Sequence, residues 1–102
     1  MAERLMESVE APQGRGHYVY VLECADGTLY TGYAVSVPRR LAEHQAGKAS
    51  RCTRARLPVT LVAAWDLGDR STALRAEAAF KRLSRARKVE RVSRRPLGAW
   101  LA

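Results

Sequence analysis

The chain of 102 residues predicts a single mixed α/β domain with the element order ββαβαα. Three observations carry this. From Gly16 to Gly47 the chain reads as a strand, a tight turn, a second strand and a short helix. Val59–Trp65 is an apolar run rich in β-branched residues, a third strand expected to pair with that hairpin. Beyond it, Ala73, Ala76, Phe80 and Leu83 recur at helical spacing.

Residues 1–15 contain Pro12 and Gly14 and are expected to form a flexible tail, with a turn of helix weighed for residues 2–9. The domain is expected over residues 16–93 and a second tail over 94–102, with Trp100 a candidate to dock on the domain. His17–Cys24, rich in Tyr and Val, is the first strand. Two loop lengths are open at the turn that follows. A two-residue Asp26-Gly27 loop would pair Cys24 with Leu29 and send Tyr20 and Tyr30 to opposite faces. A three-residue loop puts Ala25 and Asp26 in a type I turn and Gly27 in the left-handed bulge position. It pairs Leu22 with Tyr30 and Tyr20 with Gly32, so both phenols share one face. Gly27 lacks the Cβ that disfavours that position, so the second register is the one expected. Gly32 then leaves room beside the Tyr20 ring, for a substrate or simply at a strand end.

Ser36 is placed to cap the first helix and Pro38 to sit in its first turn, with Gly47 as its stop after about Gln45. Val37, Arg40, Leu41 and His44 then lie on one helix face. Leu41 packs while Arg40 and His44 project toward the hairpin, although a pair at this spacing is also what a solvated helix edge looks like. Gly47–Leu57 is read as a polar loop carrying Lys48, Arg51, Arg54 and Arg56. Asp66–Arg70 is a turn, and Ser71 is the expected cap of a long helix from Thr72 to about Lys81. Glu77 falls at the margin of its apolar stripe. A carboxylate there needs a partner or a cation, and Lys81 at i+4 is the plain alternative. Ser84–Lys88 begins a further short basic helix.

Charge and composition narrow the function. The formal net charge is +8, and residues 1–69 hold eight basic and eight acidic side chains, so the excess lies entirely in residues 70–102. Such a segment attracts polyanions, nucleic acid first, unless it is only a solvated helix face. No apolar run approaches the roughly 18 residues of a membrane span. The first fifteen residues, with Glu3, Glu7 and Glu10, do not read as a secretory signal. A cytoplasmic protein with no membrane partner is expected. Cys24 and Cys52 have neither disulfide-framework nor metal-ligand spacing and are taken as reduced.

These residues resemble the GIY-YIG nuclease superfamily, in particular its small stand-alone single-domain branch. Tyr18-Val19-Tyr20 stands for the first motif and Tyr30-Thr31-Gly32 for the second. Pro38–His44 matches the segment bearing the family's arginine and histidine. GKASRCTRARLPVTLV matches the branch's loop and third strand, and ALRAEAAFKRLSRARK its long helix and basic turn. The similarity spans roughly residues 16–92. Tyr18 stands for the motif glycine, Thr31 for the isoleucine, and Cys52 where the branch usually has tyrosine. Those departures and the bulky Tyr33 bear on substrate shape and leave the catalytic set whole.

The resemblance implies a three-stranded antiparallel sheet flanked by helices, and phosphodiester hydrolysis with a single Mg²⁺ or Mn²⁺. Carried over residue by residue, it implies Tyr20, Tyr30, Arg40 and His44 as catalytic residues and Glu77 as catalytic residue and metal ligand. Tyr20 and His44 are rival general bases. Arg40 would offset charge on the scissile phosphate. Lys48, Arg51, Arg54, Lys81, Arg82, Arg85 and Lys88 are expected to hold flanking phosphates by shape rather than base sequence. The expected substrate is DNA, with RNA open, and DNA repair or recombination the expected setting. A monomer is expected, with a partner protein open. The competing readings are a nucleic-acid-binding module with little or no catalysis, and an adaptor whose basic helix docks an acidic protein.

Overall fold

A computed structural model of the protein describes residues 6–94. Its elements are β1 (Tyr18–Glu23), β2 (Leu29–Ala34), α1 (Val37–Gln45), α2 (Arg51–Arg54), β3 (Thr60–Asp66), α3 (Arg70–Lys81) and α4 (Arg85–Arg94). The three strands form an antiparallel sheet in the order β2-β1-β3, so β2 is an edge strand.

The hairpin follows the three-residue register. Gly27 has φ +86° and its N–H donates to the Cys24 carbonyl at 2.9 Å, while Cys24 N–H donates to Thr28 at 2.8 Å. Tyr20 pairs with Gly32 and Leu22 with Tyr30. Strand β1 is buried throughout because both sheet faces are covered. Val19 and Val21 face a core completed by Trp65, Ala73, Ala76, Phe80 and Val92, under α3 and α4. Tyr18, Tyr20 and Leu22 face a second core with Val37, Val59 and Leu61, under α1. Between β1 and β3 the register slips at Val21/Leu22, which brings Leu61 opposite Leu22 on the α1 side.

Helix α1 begins and ends where its capping residues put it. Ser36 Oγ accepts from Arg39 N–H, Pro38 sits in the first turn, and Gly47 takes φ +75° just past the end. The basic loop contains an unforeseen turn of helix, α2, whose cap Ser50 accepts from Cys52 N–H at 3.1 Å. The cap of α3 is Asp69, not Ser71. The Asp69 carboxylate accepts from Thr72 N–H at 2.8 Å and from its hydroxyl at 3.1 Å, which leaves Ser71 inside the helix. Gly68 at φ +89°, its N–H on Asp66 at 3.0 Å, turns the chain so that Asp69 arrives extended.

The leading segment, from Met6 on, is not a free tail. Met6 is buried in the α3 core, and Val9 N–H donates to the Leu61 carbonyl at 2.9 Å. The helical turn weighed for residues 2–9 does not include residues 6–9. Trp100 lies outside the described residues.

Candidate active site

The register decides which phenols meet. Tyr20 and Tyr30 are diagonal neighbours on the α1 face, with ring centroids 6.3 Å apart. The space at Gly32 is filled by the protein itself. A Cβ built there would stand 2.5 Å from Tyr20 Oη and 2.6 Å from Cζ, so the ring of Tyr20 lies across the glycine. The room expected for substrate beside this ring is therefore taken by the ring. Gly32 is what lets a phenol on the central strand cross toward the sheet edge.

Helix α1 delivers His44 to the same place. The imidazole is fully buried, its Nε2 2.8 Å from Tyr20 Oη and its Nδ1 2.8 Å from Thr53 Oγ1. It meets Tyr20 and Tyr30 edge-on, with centroids 5.7 Å and 5.0 Å away. Thr53 Oγ1 also lies 3.4 Å from the Ser50 carbonyl. One tautomer gives every proton an acceptor: Thr53 O–H to Ser50, Nδ1–H to Thr53, and Tyr20 O–H to Nε2. Thr53, buried on α2, is thus the residue that orients the imidazole. Sequence reading assigned it no role, because nothing periodic links position 53 to position 44.

Burial sets the protonation states. It drives the Tyr20 phenol far above its ordinary range, with Tyr30 and Glu77 adding to the shift and the positive charge of Arg40 opposing it. Burial likewise lowers His44, Arg40 lowers it further, and Glu43 pulls the other way. The pair at neutral pH is a protonated phenol hydrogen-bonded to a neutral imidazole.

Arg40 lies one turn before His44 with its side chain part-exposed. Glu43 holds it at 3.0 Å and reaches Arg39 at 3.8 Å. Glu77 comes from the opposite sheet face, on α3, which packs against edge strand β2. Its side chain is 18% exposed and pairs with Lys81 Nζ at 3.3 Å, the plain alternative the spacing had offered. Its charge is still felt at Tyr20, as the weakest of the influences there. The structure therefore brings Tyr20, Tyr30, Arg40 and His44 together and sets Glu77 at the border.

The basic residues separate into two groups. Lys48, Arg51 and Arg54 are exposed on the α1–α2 side. Lys81, Arg82, Arg85 and Lys88 belong to the α3–α4 side. Arg85 is engaged, donating to the Gly27 carbonyl at 2.8 Å and tying α4 to the hairpin turn.

No group of three His, Cys, Asp or Glu among the described residues is arranged to hold an ion. A hydrated Mg²⁺ asks for less, taking one or two carboxylates plus substrate phosphate and keeping several waters. Glu77 fits that limited part. Its pairing with Lys81 is no obstacle, because ion pairs with an exposed partner contribute little, roughly 0–1 kcal/mol.

A three-stranded antiparallel sheet with two phenols, an arginine and a histidine on one face defines a small α+β domain with a candidate active site. The family model described as the GIY-YIG catalytic domain matches residues 16–90, and the chain belongs to the GIY-YIG family. Membership points to nuclease activity and so to a nucleic-acid substrate. The chain is similar to a UPF0213 protein of Streptococcus sanguinis, 49% identical over 82 residues, covering 80% of this chain and 94% of the relative. It is also similar to UPF0213 protein VNG_2274C of Halobacterium salinarum, 53% identical over 72 residues, covering 71% and 94%. The solution NMR structure of UPF0213 protein BH0048 from Bacillus halodurans matches with 45% identity and TM-score 0.53, over 82% of this chain and 88% of that one. That of EF2693 from E. faecalis matches with 39% identity and TM-score 0.54, over 86% and 88%. The predicted fold class and strand-helix order agree with these structures. No helix among the described residues is long and apolar enough to cross a membrane.

Proposed function

We propose that the protein is a divalent-metal-dependent endonuclease that hydrolyses phosphodiester bonds in DNA and selects substrate by structure rather than base sequence. The observation that carries this reading is the 2.8 Å bond between Tyr20 Oη and His44 Nε2, beside Tyr30 and within the field of Arg40. A protonated phenol alone is a poor base, with an ordinary pKa of about 10. Bonded to a neutral imidazole it becomes one end of a relay. As Tyr20 Oη takes a proton from the attacking water, its own proton moves to His44 Nε2, and Thr53 keeps the resulting imidazolium oriented. Arg40 offsets the charge gathering on the phosphate oxygens. Glu77 would hold Mg²⁺ or Mn²⁺, which when bound polarises a phosphate oxygen and stabilises the leaving oxygen.

A second reading, a binding module with little catalysis, is favoured by two observations: Tyr20 is only 1% exposed and Glu77 is paired with Lys81. One assay separates the two. Labelled single-stranded, duplex, flap and branched DNA are incubated with Mg²⁺ or Mn²⁺ and the parent, Arg40→Ala or Glu77→Gln. The nuclease reading expects cleavage by the parent, reduced about 10²–10³-fold in Arg40→Ala and abolished in Glu77→Gln. Uncut but retarded DNA with all three proteins would establish the binding module instead.

A further inference from the structure

Around Arg40 the surface opens into a cleft of about 250 Å³ that extends beyond the rest of the catalytic set. It is lined by Arg15, Ser36, Arg39, Arg40 and Glu43 and by the chain from Tyr33 to Val35. We propose that this cleft is a subsite for the nucleotide adjoining the scissile phosphate, with Arg15 and Arg39 taking its phosphate. The proposal rests on the nuclease reading for what it adjoins, and on the cleft itself for what it binds.

Four observations support an anionic occupant. The charge of the lining is unbalanced, since the single carboxylate of Glu43 already serves Arg39 and Arg40. Arg15 has no ion-pair or hydrogen-bond partner among the described residues. It is nevertheless held at the cleft, because Gly16 N–H donates to the Val35 carbonyl at 2.9 Å and pins the chain beside Ser36. The cleft also opens onto the first turn of α1, which carries no acidic residue to answer the positive end of the helix dipole.

Tyr33 anchors the strand end beside the cleft. Its hydroxyl bonds His17 Nδ1 at 2.8 Å, its ring stacks on His17 with planes 14° apart, and the Arg70 guanidinium lies 5.9 Å from its centroid. Clamped this way against the α3 core, the Tyr33 side chain fixes the end of β2 that borders the cleft. The volume falls below the roughly 300–1,000 Å³ of pockets for drug-sized ligands, so the cleft takes a group of one nucleotide's size and not a longer stretch. Contacts to phosphate and sugar position a strand without reading its bases.

The test measures binding in the Glu77→Gln background, by anisotropy of a short fluorescein-labelled DNA oligonucleotide across a salt series. Arg15→Ala and Arg39→Ala are each expected to weaken binding about tenfold and to lower the slope of log affinity against log salt by about one. Tyr33→Leu, which alters the end of β2 beside the cleft and no charge, is expected to leave the slope unchanged. Arg75→Ala, on the exposed face of α3, serves as the control. A nucleoside 5′-monophosphate should compete better than inorganic phosphate; equal competition overturns the nucleotide assignment in favour of a simple anion site. Affinity and slope unchanged in Arg15→Ala overturn the subsite, even if the parent cleaves DNA. A parent that never cleaves but loses binding in Arg15→Ala sinks the nuclease reading and leaves the subsite standing.

Discussion

At Gly32 an alanine Cβ would stand 2.5 Å from Tyr20 Oη. The obstruction is an aromatic ring locked between strands, not the end of a flexible chain, so the ring must move. Gly32→Ala is expected to destabilise the protein by about 1–3 kcal/mol, as overpacking typically does. It should also break the Tyr20–His44 bond. Urea unfolding checks the first effect and DNA cleavage the second. Its neighbour Thr31 presents the opposite case. Its Oγ1 is buried with no hydrogen-bond partner among the described residues. Thr31→Val removes an unsatisfied polar atom at almost constant shape and is expected to raise stability by about 1 kcal/mol in the same assay. His44 gives a pH signature. Its folded-state pKa lies below the ordinary value of 6.5, so the unfolded chain takes up a proton that the folded protein resists. The stability tied to neutral His44 is full above pH 6.5 and is lost as the pH falls from there through the lowered folded value. His44→Gln should flatten that part of the stability–pH curve. An unchanged slope would mean that the imidazole is not buried neutral.

Among the elements, α3 does most to hold the sheet in shape. It sets Ala73, Ala76 and Phe80 against Val19, Val21 and Trp65, and the Phe80 and Trp65 rings lie 5.8 Å apart. Phe80→Ala is expected to destabilise by about 3–5 kcal/mol through lost burial and the cavity left behind. Denaturant unfolding with an unchanged m-value would confirm that it acts on the folded state. Elements were legible to the degree that their signals are local. Ser36, Pro38 and Gly47 mark both ends of α1, and Gly27 selects the hairpin register. The cap of α3 was not legible in this way. Asp69 and Ser71 are both good caps two positions apart, and the turn at Gly68 decides between them. Helix α2 is a single turn with no periodicity to announce it. It is held by its cap and by Thr53 reaching His44, a contact nine positions away in the chain.

For the whole molecule, the distribution of charge matters more than the net +8. The excess lies in residues 70–102, which suggests that α3 and α4 grip the substrate. The fold places those helices on the sheet face opposite Tyr20, Tyr30 and His44. The side facing the site carries Lys48, Arg51 and Arg54. Changing these three to Ala is expected to lower the salt slope of DNA binding by about three, since each phosphate contact contributes roughly 0.9. Arg82→Ala with Lys88→Ala should leave the slope nearly unchanged. Anisotropy across a salt series measures both, and a larger loss from the second pair would show that the substrate crosses the other face.

The ββαβαα order of the main elements and the expected hairpin register were legible in the sequence alone, and the grouping of Tyr20, Tyr30, Arg40 and His44 was implied by its family resemblance. Each follows from turn chemistry, capping or spacing within a few residues, or from motifs kept in order along the chain. Only the tertiary structure decided that the Tyr20 ring fills the space over Gly32, that Thr53 orients His44, that Glu77 stands at the border beside Lys81, and that the basic residues divide between two faces. Those outcomes depend on which side chains occupy a shared volume. Interiors are close-packed, so that competition is resolved between elements far apart in the chain, where local pattern carries no information.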